Sequence, residues 1–188
     1  MFAAIFALLW VGWAVSWFAA AAWSSPAVKR AGLAAGLAYR IVIAAGSALF
    51  LIPAHGYYGW MRLWLVTWNE AWVCVGLTAA GLAFAWWARI YLGNLWSGSV
   101  VTKGDHRVVD TGPYRIVRHP IYSGLLLATY ATMAAKGTLT AIAGAALITL
   151  GVWMKARLEE KFLRQELGPD TYDAYAKRVK MLLPLVGP

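Results

Sequence analysis

The stretch that decides the fold is Ile121–Ala135, IYSGLLLATYATMAA, joined through Lys136-Gly137 to Thr138–Met154, TLTAIAGAALITLGVWM. Two uncharged apolar runs parted by only two residues, one of them glycine, predict two helices folded back on each other as a tight hairpin. Their composition suits a bilayer, whose hydrocarbon core takes about 20 mainly apolar residues per helix. The first run is short for a span, so it either begins within the preceding segment or borders a thinner, protein-filled region.

Working outward, Phe2–Trp23 carries no charge, Ala31–Pro53 only Arg40, and Trp68–Ile90 only Glu70 and Arg89 near its ends. The expected fold is therefore an all-α integral membrane protein of about five transmembrane helices, the last two a tight hairpin. Of 188 residues 61% are hydrophobic and 13% charged, against roughly 25% charged in soluble domains. A soluble chain of this length cannot cover so much apolar surface, which excludes a soluble globular domain, a disordered tail and a disulfide scaffold. Cys74 is a lone cysteine and His55, His106 and His119 are scattered, so no metal centre is expected. Ala20-Ala21-Ala22 resembles a signal-cleavage site. Phe2–Trp23 lacks a basic leader and is long for a signal core, so an uncleaved first span is expected.

The formal charge is +9 and unevenly spread. With five spans, fourteen Lys and Arg fall on one side: Lys29 and Arg30, then Arg89 to Arg118, then Lys155 to Lys180. Arg62 and Lys136 fall on the other. The positive-inside rule then puts the N-terminus outside and the C-terminus in the cytoplasm. The basic excess reads as topology and attraction to anionic headgroups, without a nucleic-acid reading module.

Chemistry divides the chain. Residues 1–88 form three spans with little polar chemistry, and Trp10, Trp13, Trp17, Trp23, Trp60, Trp64 and Trp68 read as interface belts and helix packing. Residues 89–188 comprise a cytosolic loop, the hairpin and a tail. The loop Tyr91–Pro120 is long enough to be functional and runs into Gly112-Pro-Tyr-Arg-Ile-Val-Arg-His-Pro-Ile-Tyr-Ser-Gly124. Pro120 drives His119 out of the helical region and fits a first turn. Arg118 and His119 thus stand at a helix mouth, where free N–H groups favour an anion. Tyr122 lies one turn inside, and Gly124 lets a ligand or another helix approach. Lys155–Phe162 carries the last helix out of the membrane, and an antiparallel hairpin returns Glu159 and Glu160 beside Arg118, His119 and Tyr122. Two carboxylates, a histidine and an arginine can grip a zwitterion, and the rings of Tyr114 and Tyr122 can face a sulfonium. Each residue also has a plainer reading. The arginines can hold lipid phosphate, His119 can be structural, and the glutamates can pair with Lys155 or Arg164 on a solvated helix. Arg40, nine residues into its span, lines a substrate path or snorkels to headgroups. Glu70 reads as a solvated end or a partner of Arg62.

The Gly112–Gly124 run, with Arg157-Leu-Glu-Glu160, Leu167-Gly168, Tyr172, Tyr175 and Lys177-Arg178-Val179 after it, resembles the isoprenylcysteine carboxyl methyltransferase family, which stands with the membrane phospholipid methyltransferases. Leu92–Ser97 (LGNLWS) is similar to the family's preceding segment. The resemblance covers residues 89–184. It implies S-adenosylmethionine-dependent methyl transfer at the bilayer surface, from a cytosolic cofactor pocket reached by a lipid through a tunnel between helices. Carried over by position, Tyr114, Arg118, His119, Tyr122, Gly124, Glu159 and Glu160 bind the cofactor, and Arg118, Arg157 and Glu159 serve catalysis. Arg40 and Arg89 are candidate substrate contacts. Lys180 stands where the family often has proline, which concerns only the tail's path.

The resemblance implies a membrane-embedded lipid or lipidated acceptor in a bacterial inner membrane. O-methylation of a prenylcysteine-like carboxylate is the first reading and N-methylation of an aminophospholipid the alternative. A non-enzymatic lipid-binding protein is the further alternative. A carboxylate needs an arginine to place it and no base; an amine needs Glu159, Glu160 or His119 as proton acceptor. Both sets are present. Oligomeric state is not legible.

Overall fold

The computed structural model describes residues 1–20, 29–30, 33–52, 61–93, 101–102 and 109–184. The helices among them are α1 (Phe2–Ala19), α2 (Leu33–Leu51), α3 (Trp68–Leu92), α4 (Pro120–Lys136), α5 (Leu139–Leu167) and α6 (Pro169–Arg178). A 3-10 turn, Gly112–Arg115, precedes α4, and two short strands, β1 (Lys29–Arg30) and β2 (Val101–Thr102), pair antiparallel. Trp23, His55, Trp60, Asn94–Ser97, Lys103, Gly104-Asp105, His106 and Arg107, singled out above, lie outside the described residues.

Local chemistry sets the helix ends. Thr67 and Glu70 form a capping box at the start of α3: the Thr67 amide donates to Glu70 Oε2 at 2.7 Å, and Thr67 Oγ1 accepts from the Glu70 amide. This is the work of Glu70, at a solvated helix end. Helix α4 stops at Gly137, whose φ of +59° is left-handed and whose missing side chain leaves room for the Trp64 carbonyl. Two residues later α5 begins, with Thr138 as its cap accepting from the Ala141 amide. Helix α5 runs past its apolar part, ending at Met154, and carries polar residues to Leu167.

Small residues hold the helices together, as expected where lipid removes the hydrophobic drive between them. On α3, Gly81 lies against Gly124 and Ala128 of α4, so close that a Cβ on Gly81 would stand 2.5 Å from the Gly124 carbonyl. Ala85, Ala88 and Ala128 are completely buried. Helices α2 and α5 meet the same way, Gly46 and Phe50 against Gly144, and Ile43 and Tyr39 against Gly151. Helix α1 lies parallel to α3. Phe2 meets Trp68 and Trp72 at one end, and Trp17 meets Trp86 toward the other. Trp10 Nε1 donates to Thr132 at 3.1 Å, and Thr132 bonds Thr78, tying α1, α3 and α4 in the interior. The described tryptophans of α1 and α3 thus act in helix packing.

Contacts between α4 and α5 run in opposite directions, Tyr122 with Glu159 and Tyr130 with Thr149. The connections gather at two ends. At one, β1 pairs with β2, and Val117 pairs with Lys180. At the other, Arg62 pairs with Thr138, Leu63 donates to the Gly137 carbonyl at 2.8 Å, and Lys136 Nζ donates to the carbonyls of Phe50 and Ile52. The first end collects the basic loops and the second holds Arg62 and Lys136. Three helices, α1, α3 and α5, are long and apolar enough to cross a membrane; the apolar part of α2, Gly36–Leu51, and the 17-residue α4 are shorter. Among the described residues the regular structure is helical but for the two short strands, and the three long apolar helices fit a membrane protein.

Candidate active site

At the basic end, the start of α4 meets the polar part of α5. His119 caps α4 in a non-helical conformation (φ −122°, ψ 63°), as its position before Pro120 requires. Its ring lies between two carboxylates, Nδ1 3.6 Å from Glu159 Oε2 and Nε2 3.3 Å from Glu160 Oε1. Three residues on, Tyr122 stacks on that ring, with centroids 5.5 Å apart and 12° between planes, and donates to Glu159 Oε1 at 2.7 Å. Glu159 and Glu160 are successive, so α5 directs them about 100° apart around its axis; this lets one histidine touch both. Lys155, one turn before Glu159, puts Nζ 3.8 Å from Glu159 Oε1, over the rings of Tyr122 and, from α2, Tyr39.

Arg118 closes the other side. Its Nε donates to Glu160 Oε1 at 2.7 Å, and its Nη1 donates to the carbonyls of Ala176 and Val179 at the C-terminal end of α6. A guanidinium at a helix C-terminus meets the negative end of the dipole as well as bare carbonyls. The chain after α6 then runs along the start of α4. The Arg118 amide donates to Lys180, the His119 amide to Met181 and Ser123 Oγ to Leu182. Tyr175 Oη reaches the Tyr114 carbonyl at 2.8 Å, and Tyr114, buried against Ala85, Ala88 and Ile121, donates to the Ala88 carbonyl.

The charges bias one another. Burial alone would lower the His119 pKa, but hydrogen bonds and charge from Glu159 and Glu160 outweigh it and hold the imidazole above its ordinary value. Burial would raise Glu160, yet His119 and Arg118 bring it down to about 2. Glu159 is likewise held low against its burial, chiefly by Lys155 and His119. A raised histidine pKa means the folded state gains stability from the imidazolium. That gain is full below the unfolded value, roughly 6.5, and is lost as pH rises through the folded one. The thermal unfolding midpoint of the wild type is expected to fall as pH is raised above neutral, and His119→Gln to flatten that slope. A slope equally steep in His119→Gln would refute the assignment.

Arg118, His119, Tyr122, Glu159 and Glu160, expected together from the sequence, do meet, with Tyr114 adjoining them. Gly124 lies two residues beyond Tyr122 on α4, and its open face is filled by the Gly81 carbonyl and Ala85, so its missing side chain serves helix packing. Three arginines stand elsewhere. Arg157 is exposed with its guanidinium over Trp153, Arg40 is exposed beside the Tyr39 ring, and Arg89 is buried on Trp17 with Nη2 bonded to the Ala20 carbonyl at the end of α1. Lys155 pairs with Glu159 as its i,i+4 spacing allowed and joins the cluster; missed from sequence were Tyr39, Ser123 and the tail carbonyls. Of these only Lys155 had a readable signal, as the first polar residue after the apolar run of α5 and one turn from Glu159. Among the described residues, no group of three His, Cys, Asp or Glu could hold a metal ion.

These features describe a helical protein with three helices apolar and long enough to cross a membrane and an ionic cluster at its basic end. Residues 74–165, just under half of the chain, match the model of the isoprenylcysteine carboxyl methyltransferase family. The chain is 29% identical over 142 residues to methanethiol S-methyltransferase 1 of Bradyrhizobium diazoefficiens, covering 68% of this chain and 49% of that protein. It is 44% identical over 73 residues to a methanethiol S-methyltransferase of a Pseudomonas species, covering 38% of this chain and 26% of that one. It is 34% identical over 87 residues to a probable protein-S-isoprenylcysteine O-methyltransferase of Oryza sativa, covering 44% and 43%. The chain therefore spans half the length, or less, of these relatives.

Proposed function

We propose that this chain is an integral-membrane, S-adenosylmethionine-dependent methyltransferase acting on an apolar or lipidated acceptor. All five long helices cross the bilayer, α4 and α5 as a hairpin, with the N-terminus outside and the cup at the cytoplasmic face of a bacterial inner membrane. The observation that carries this is the joining of the buried Arg118 and His119 with the half-buried Tyr122, Glu159 and Glu160 in one network, within the family-matched segment and at the Lys/Arg-rich end.

The residues present fit such a donor. Glu159 and Glu160 offer carboxylate oxygens for ribose hydroxyls or an ammonium, and the helix mouth of α4 is the positive end of a dipole that suits a carboxylate. S-adenosylmethionine, when bound, supplies a methyl group on a sulfonium whose carbon–sulfur electron pair stays with sulfur. The chain's own work is to position the reactants and exclude water. His119 keeps the two carboxylates apart and oriented, and Arg118 fixes Glu160 against α6.

The acceptor is read as a prenylcysteine-like carboxylate, in line with the family and the plant relative. A small apolar thiol is the second reading, favoured by the two relatives named for methanethiol. N-methylation of an aminophospholipid ranks behind both, because Glu159, Glu160 and His119, its candidate proton acceptors, already bond one another or Arg118 and Tyr122.

Titration of purified protein with S-adenosylhomocysteine tests the donor site. Saturable binding is expected, weakened at least about tenfold in Glu159→Gln, the scale of one lost charge-assisted bond, while the variant still unfolds cooperatively. Absence of binding to the wild type overturns the reading, as would undiminished binding in the variant. Membranes incubated with methyl-labelled donor, then extracted, identify the acceptor.

A further inference from the structure

We propose that the exposed face of α5 is a binding site for an anionic phospholipid, whose phosphate lies against Arg157 and Lys161 while its chains lie along Leu150 and Trp153. The site stands apart from the ionic cluster and goes beyond the reading above.

Leu150, Trp153, Arg157, Lys161 and Arg164 are all exposed. At about 100° per residue they fall within a sector of roughly 80° on α5, so they form one stripe along the helix. Its character changes partway. Leu150 and Trp153 are 47% and 46% exposed, on a helix long and apolar enough to cross a membrane. In a bilayer such a face meets hydrocarbon, and tryptophan marks its boundary with the headgroups. Beyond Trp153 the stripe is basic. At 1.5 Å per residue, Arg157 stands about 6 Å past Trp153 along the axis and Lys161 about 12 Å. The headgroup layer is roughly 5–7 Å deep on each side of a bilayer. Arg157 therefore reaches the level of the phosphates and Lys161 the outer edge of the heads.

The charges leave this face open to an anion. Lys155 faces Glu159, and Arg164 is held by Asp173 through two bonds, Nε at 2.9 Å and Nη2 at 2.8 Å. Arg157 and Lys161, which lie between them, pair with no carboxylate among the described residues. Glu160, the acid nearest the stripe, is turned to Arg118 and His119. The Arg157 guanidinium lies over the Trp153 ring, 5.8 Å from its centre, a contact made through its face that needs none of its N–H donors.

At the far end of the stripe, Lys161, Arg164, Gln165 and Pro169 line a groove of about 300 Å³ where α5 gives way to α6. Room for a small polar head thus adjoins the place of the phosphate. A zwitterionic head brings the same phosphate but also an ammonium, which meets Lys161. Charge complementarity selects a head without a cation.

Native mass spectrometry of the full chain in detergent tests the site, with dioctanoyl phosphatidylglycerol as the anionic probe and dioctanoyl phosphatidylcholine as the zwitterionic one. The wild type is expected to bind the anionic lipid at least about tenfold more tightly, the scale of one hydrogen bond to a charged group. Arg157→Gln/Lys161→Gln should lose that preference, and Arg157→Lys/Lys161→Arg should keep it. Arg115→Gln/Lys177→Gln, which removes two exposed charges elsewhere, should leave it unchanged. Glycerol phosphate, a head without chains, should not displace the lipid at equal concentration. The proposal is overturned if the wild type shows no preference, if Arg157→Gln/Lys161→Gln retains it, if Arg115→Gln/Lys177→Gln abolishes it equally, or if glycerol phosphate displaces the lipid. Every arm is read without S-adenosylhomocysteine, so the outcome is separate from that of the donor titration.

Discussion

Glu160→Ala is expected to destabilise the protein by about 3–5 kcal/mol, the cost of leaving one member of a buried ion pair alone. Its partner Arg118 has a side chain only 5% exposed, and Glu160 itself is 14% exposed. Without the carboxylate, a guanidinium remains buried beside His119, which also loses one of the two anions holding its proton. The change should therefore lower the unfolding midpoint sharply and weaken S-adenosylhomocysteine binding together. Arg118→Ala should do comparable damage from the other side, baring Glu160 and the carbonyls of Ala176 and Val179. Because the two residues share a bond, the double variant should cost less than the sum of the singles. Strict additivity in denaturation of the three variants would show that the pair does not act as a unit.

Gly124→Val is expected to cost about 3 kcal/mol or more, the upper range for overpacking a tight core. A Cβ on Gly124 would fall on the carbonyl of Gly81 and close to the amide of Ala85. Both obstacles are backbone of α3, so no side chain can swing away. Helix α4 would have to move off α3, taking Tyr122 and the His119 cap with it. The control lies in α3 itself: Gly76 has open space around its would-be Cβ, and Gly76→Ala should be neutral or mildly stabilising through helix propensity. If Gly124→Val unfolded at the wild-type midpoint, the close crossing of α3 and α4 would be wrong.

How far the sequence revealed this arrangement depended on whether the determining contact was local. The His119-Pro120 step and the paired glutamates were readable because helix ends and antiparallel return follow from spacing alone. Arg157 and Glu159, both expected to serve catalysis, face different ways. The residues stand two apart, about 200° around the helix, so a face that buries Glu159 turns Arg157 outward to Trp153. Arg40 shows the same geometry, one residue from the buried Tyr39 and exposed itself. Arg118 was legible as a member of the cluster, but its carbonyl partners on the tail were not. They lie 58 and 61 residues away, and no periodicity encodes a backbone acceptor at that distance. Gly124 carried two readings from the outset, and only the packing of α3 chose between them.

The tail pairing along the start of α4 bears on biogenesis. Lys180, Met181 and Leu182 supply carbonyls to Arg118, His119 and Ser123, yet a ribosome makes them after every helix that carries the charged groups. Insertion can proceed helix by helix as the chain emerges, whereas the ionic centre waits for this late segment. Throughout that interval Arg118 and the two glutamates depend on one another and on solvent, and a nascent protein arrested before residue 180 would be threaded into the membrane but not yet competent.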